Sequence, residues 1–202
     1  MKKKVLALLT ALLCFTCLMM VGPQAFAADT AEDAAKEAAD AAVLLEQAKT
    51  LLDDQDYDAA FLLIEKAAET GDAKAQRWLG DCYSQGFGVE QDYEKGMQCF
   101  LLAAEQGEPV GIYNVGYNYY HGEGAEQDYD KALEYFREAA EQEYPAAMFM
   151  LGDCYFLGHG TDKDPDAAAE WYRKALAAGY EPDETDQAHL KEVLGENLEG
   201  KQ

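Results

Sequence analysis

Residues 110–143 read VGIYNVGYNYYHGEGAEQDYDKALEYFREAAEQE, and this stretch recurs along the chain with a period of 36 residues. Gly80, Gly116 and Gly152 share the spacing, as do Tyr83, Tyr119 and Tyr155. It also links Gly86, Gly122 and Gly158, then Gly88, Gly124 and Gly160, then Asp92, Asp128 and Asp164. A fixed period of this length outranks any local signal, because each copy is one supersecondary unit that buries its apolar face only by stacking on the next.

Within one copy the residues fall on two helices. Ile112, Val115, Gly116 and Tyr119 share one helical face, and Ala132, Phe136, Ala139 and Ala140 form the facing stripe. Gly116 presents no side chain, so the partner helix can come close. Gly122 and Gly124 end the first helix and turn the chain, and Asp128 stands where an N-cap is wanted. The fold class expected is all-α: an α-solenoid of antiparallel helix pairs. Three full copies are expected over 73–109, 110–145 and 146–181.

Upstream, residues 28–72 read as a looser helical pair, with a helix from about Thr30, a break at Asp53-Asp54-Gln55-Asp56, and a second helix ending at Thr70-Gly71. This hairpin lacks four residues that the later copies have, and the missing four are the Gly-x-Gly turn. Downstream, residues 182–202 carry a narrow stripe of Leu190, Val193 and Leu194 against a charged face, the pattern of a capping helix and tail.

Residues 1–27 have a different character. Lys2 to Lys4, an apolar run from Val5 to Gly22, and Ala25-Phe26-Ala27 form the order of a secretory signal peptide; a retained anchor is the rival reading. Cleavage after Ala27 removes three lysines and no acid, taking the formal charge from −23 to −26. Charge of this size repels nucleic acid and anionic lipid, so neither is an expected partner, and membrane insertion is not expected after cleavage. The expected location is extracytoplasmic. Three cysteines would remain, Cys82, Cys99 and Cys154, as buried free thiols or with Cys82 and Cys99 paired.

The motifs resemble the Sel-one-like repeat (SLR), a relative of the tetratricopeptide repeat. Leu79-Gly80-x-x-Tyr83, Gly86-x-Gly88-Val89, Asp92-Tyr93-x-Lys95 and Ala103-Ala104-x-x-Gly107 carry the likeness in the first copy. The next copies repeat it with Glu143 in place of the closing glycine and Pro165 in place of a tyrosine, and Gly96 stands where alanine is usual. The resemblance implies a right-handed superhelix and a binding role, as in adaptors and in exported regulators of membrane sensors. It transfers no catalytic residue.

Candidate chemistry is sparse. Asp54, Asp56, Asp58 and Glu65 imitate a calcium loop, but Ala59 stands where the sharp turn needs glycine, so these acids and the Asp162-Asp164-Asp166 group read as helix caps and solvated charge. His121, His159 and His189 lack metal-ligand spacing. No cofactor, metal or catalytic constellation is expected. A second stripe on the first helices, spare to the core pattern, supplies the candidate groove: Arg77 in the first copy, Tyr113, Tyr117 and Tyr120 in the second, Phe149 and Phe156 in the third. Such aromatics suit a protein or peptide ligand. A cell-wall glycan would use the same rings, a hydrolase acting on cell-wall or β-lactam compounds is the remaining alternative, and burial between repeats would remove the groove.

Overall fold

The computed structural model describes residues 23–195; the expected leader lies outside them except for residues 23–27. Nine helices and no strands are present among the described residues. They are α1 (Pro23–Asp53), α2 (Tyr57–Ala68), α3 (Ala73–Gln85), α4 (Tyr93–Glu105), α5 (Pro109–His121), α6 (Tyr129–Glu141), α7 (Pro145–Leu157), α8 (Pro165–Ala177) and α9 (Glu184–Leu194). Each helix packs on the one before and the one after it, and α3 also touches α5. The expected solenoid of helix pairs is therefore what the chain forms, with the first helices of successive hairpins sharing an inner face. The backbone of α1 is helical from Pro23, earlier than the Thr30 start expected. None of these helices is long and apolar enough to cross a membrane.

Within each hairpin the first periodic glycine lets the helices touch. A Cβ on Gly80 would lie 2.5 Å from the Phe100 ring and one on Gly116 would lie 2.9 Å from that of Phe136; on Gly152 it would run into Tyr172. Those rings are buried, Phe100 nearly so and Phe136 and Tyr172 fully. The Asp-Tyr-x-Lys motif closes the turn. Asp92 and Asp128 cap α4 and α6 by accepting from the amides of Lys95 and Lys131, both at 3.0 Å. The same lysines bridge back to the cap carboxylates at 3.1 Å and lie over the rings of Tyr83 and Tyr119. The carboxyls of Asp92 and Asp128 are held below their ordinary range, first by the backbone amide bonds and then by the lysines.

The second turn glycine has a different duty, which is to join hairpins. A Cβ on Gly88 would collide with the main-chain carbonyl of Tyr57, one on Gly124 with that of Tyr93, and one on Gly160 with that of Tyr129. Each of these tyrosines opens the second helix of the hairpin before. The turn of one hairpin thus seats on the helix start of its predecessor. No hairpin precedes α1–α2 among the described residues, and that hairpin is the one without the Gly-x-Gly turn.

The acid clusters serve as caps. Asp56 accepts from Ala59 N at 3.3 Å, and Asp164 accepts from Asp166 N and Ala167 N, with Pro165 opening α8. No group of His, Cys, Asp and Glu able to hold a metal ion occurs among the described residues. Cys82 and Cys154 are buried free thiols and Cys99 is a partly buried one. Burial pushes Cys99 up to about 11 and the other two up to about 12, so all three are thiols rather than thiolates at neutral pH.

Candidate functional site

The inner face carries a cleft of about 260 Å³ between α3 and α5. Asp81, Ser84 and Gln85 of α3 form one wall, and Tyr113, Asn114, Tyr117 and Asn118 of α5 the other. Phe100 of α4 lies at the floor, and Glu123 stands in the turn after α5. Its polar fittings are fixed in advance. Arg77 Nη1 pairs with Asp81 Oδ2 at 2.6 Å, one helical turn away, and Asn114 donates to Asp81 Oδ1 at 3.3 Å. Burial raises the Asp81 carboxyl above its ordinary value of 3.8, and Arg77 opposes the rise. Two buried polar atoms here have no hydrogen-bond partner: Arg77 Nε and the hydroxyl of Ser84, a residue 7% exposed.

The six expected groove residues do not form one surface. Tyr113 and Tyr117 line the cleft, and Arg77 reaches it only through its pair with Asp81. Tyr113 is partly buried, with its ring 5.8 Å from Phe136 and 5.2 Å from Tyr144, and burial raises its phenol strongly. Tyr117 stands at the wall with its ring 4.2 Å from that of His121. Tyr120 turns the other way, into the joint between the second and third copies. There its hydroxyl hydrogen-bonds His159 Nδ1 at 2.8 Å, and its ring sits edge-on to Tyr129.

Phe149 corrects the expectation of an open aromatic stripe. It is 1% exposed, stacked under Tyr180 at 4.5 Å and tilted against Tyr172 at 4.9 Å. Phe156 packs toward His189 of α9, at 5.4 Å. The reason is a position the repeat pattern left unexamined. Asp72, Glu108, Tyr144 and Tyr180 are 36 residues apart. Asp72 and Glu108 are N-caps for α3 and α5, but Tyr144 makes no side-chain cap and lays its ring on Tyr113, while Tyr180 lays its ring on Phe149. Two capping acids have become two lids.

The C-terminal cap is docked by a polar joint as well as by the buried Leu190. His189 Nδ1 lies 2.9 Å from Asp153 Oδ1, which also accepts from the Tyr172 hydroxyl at 2.7 Å, and Tyr180 donates to Asp186 at 2.7 Å. Asp153 and His189 are themselves 36 residues apart. Asp81, Ser84 and Asp153 share the helical stripe of the expected groove residues, whereas Asn114, Asn118, Glu123 and Tyr144 lie off it. The 36-residue register singles out two of these four, Tyr144 at the place of the capping acids and Glu123 at the place of His159.

A stack of helical hairpins with a lined inner face defines a repeat scaffold, and comparison with known proteins identifies which. The Sel1 repeat model matches residues 53–72, 73–108, 109–144 and 145–180, and the chain belongs to the Sel1 repeat family. Among solved structures, it is similar to a protective antigen present in uropathogenic Escherichia coli strains displaying an SLR fold, at 37% identity and a TM-score of 0.61 over 68% of this chain. It is also similar to a Sel1 repeat protein from Oxalobacter formigenes, at 32% identity and a TM-score of 0.68 over 77% of this chain. The matches span 29% of the first protein and 64% of the second. No curated protein sequence matches the chain. Sel1 repeats are non-enzymatic scaffolds for protein–protein interaction.

Proposed function

We propose that this protein is an exported adaptor that holds a peptide segment of a cell-envelope partner against its inner face, in the cleft between α3 and α5. The observation that carries this reading is the cleft itself. It is walled by Tyr117 and Asn114 on one side and on the other by Asp81, which Arg77 holds in place, with the Phe100 ring between them. Half-buried tyrosine at the edge of a preformed recess offers large contact area with few rotors to freeze. The signal-peptide pattern of residues 1–27 supports export, and the formal charge, −26 once the three leader lysines are removed, supports a protein rather than a nucleic-acid partner.

A photo-crosslinking residue placed at position 117, on the inner face, should capture one discrete partner in the native cell. The same residue at position 138 of α6, beside Tyr135 and the Tyr119 ring of α5, should not. Combining a crosslinker at 85 with Tyr117→Ala should reduce capture about tenfold, with the fold intact by circular dichroism. Equal capture from positions 117 and 138, or none from 117, sinks the assignment of this face.

A further inference from the structure

The cleft is a place where the repeat has left something out. Moving 36 residues along the chain takes Ser84 to Tyr120, Phe100 to Phe136 and Glu123 to His159. In the second copy the Tyr120 ring fills the space: it lies 6.1 Å from Phe136 and 5.4 Å from His159, and its hydroxyl bonds His159 Nδ1 at 2.8 Å. In the third copy Phe156 holds that position, its ring 5.4 Å from His189. The first copy has serine at that position, and the surrounding groups line an open cleft. Ser84 has a second local consequence. Its Oγ would clash with a Cβ on residue 96, and there the chain has Gly96 where the later copies have Ala132 and Ala168.

We infer that this socket receives a tyrosine side chain from the partner, which packs on Phe100 and donates its hydroxyl to Glu123 as Tyr120 bonds His159 within the chain. The inference deepens the proposed function and rests on it. Three observations favour a phenol over the other side chains a carboxylate could attract. The socket is the register-equivalent of a site where this scaffold already accommodates a tyrosine ring. Asp81 is already engaged by Arg77 and Asn114, so the wall is not a bare anionic site for a lysine or arginine. Glu123, the residue in the place of His159, is a stronger acceptor for an O–H donor, because a bond to an ionised oxygen is shorter and stronger than one to a neutral group.

The test is an NMR titration of the full chain with N-acetyltyrosine amide, N-acetylphenylalanine amide and N-acetylarginine amide. The tyrosine amide should shift the Ser84, Phe100 and Asn118 signals and bind roughly tenfold more tightly than the phenylalanine amide, the difference being one charge-assisted hydrogen bond. Ser84→Tyr fills the socket from within and should abolish the titration. Glu123→Ala, at the rim, should bring the tyrosine amide down to the phenylalanine level and leave the latter unchanged. An arginine amide that binds more tightly than the tyrosine amide overturns the inference. So does a Ser84→Tyr protein that binds like wild type, or a Glu123→Ala protein that keeps the tyrosine preference. Failure here with position 117 still capturing a partner removes the socket and leaves the adaptor reading; failure of both removes both.

Discussion

The first and second Sel1 hairpins hold the same backbone and opposite interiors at one position. In the second, Tyr120 reaches from α5 into the joint with the third hairpin and is met by Phe136, Tyr129 and His159. In the first, Ser84 leaves the joint between α3 and α5 open, with Asp81, Asn114 and Glu123 around the opening. The close-packing glycine, the Gly-x-Gly turn and the aspartate that caps the second helix are the same in both. A solenoid separates the residues that build its frame from those that fill it, so one substitution in the fill can convert a joint into a recess without disturbing the frame.

The comparison breaks most severely at what the hairpins share. Gly124→Ala places a methyl against the Tyr93 carbonyl, which cannot swing aside, at a backbone φ of +70°. It should cost about 3 kcal/mol or more in urea unfolding, by strain and by forced separation of adjacent hairpins. Next comes the fill. Tyr120→Ser makes the second hairpin imitate the first, removing a partly buried ring and the bond to His159; the expected loss is about 2–3 kcal/mol. If the two hairpins were equivalent in tension, this variant would unfold like wild type.

A smaller effect of opposite sign is expected at the hinge between the second and third hairpins. Gly71, Gly107 and Gly179 take φ of +84°, +78° and +93°, and at the same place in the period Glu143 is held at +60°. A residue with a Cβ pays for left-handed backbone, and glycine's extra freedom in the unfolded chain offsets part of that relief. Glu143→Gly should therefore raise stability by about 0.5–1 kcal/mol, read as a higher urea midpoint with unchanged slope.

The smallest effect is a change in pH dependence at the cap. Burial raises the Asp153 carboxyl above its ordinary value of 3.8, with the bonds from Tyr172 and His189 opposing the rise. The folded state thus keeps a proton that the unfolded state has already lost. Ionising Asp153 costs stability as pH climbs from about 4 through the raised folded value, and the cost is absent below the unfolded value. Asp153→Asn removes that contribution and keeps an acceptor for Tyr172. The unfolding free energy of wild type minus variant should fall with rising pH across this window. A difference that rises instead would show the carboxylate to be stabilised by His189 beyond the cost of burying it.

The sequence alone determined the frame. The period of 36 residues, the helix pairs, the glycine contacts within each hairpin and the aspartate caps were all legible, because each rests on local rules: helical periodicity, backbone freedom at glycine, and orphan amides at helix starts. The candidate site was legible only in outline. Its stripe was visible from helical spacing, yet spacing says which residues point to one side and nothing about how far the next hairpin leans over them. Tyr144 and Tyr180 decided that by covering Tyr113 and Phe149, and Ser84 decided that a recess would remain beside Tyr117. Local interactions within 36 residues fix each hairpin. The size of the gap between hairpins depends on side chains that meet across repeats, and those meetings exist only once the stack has formed.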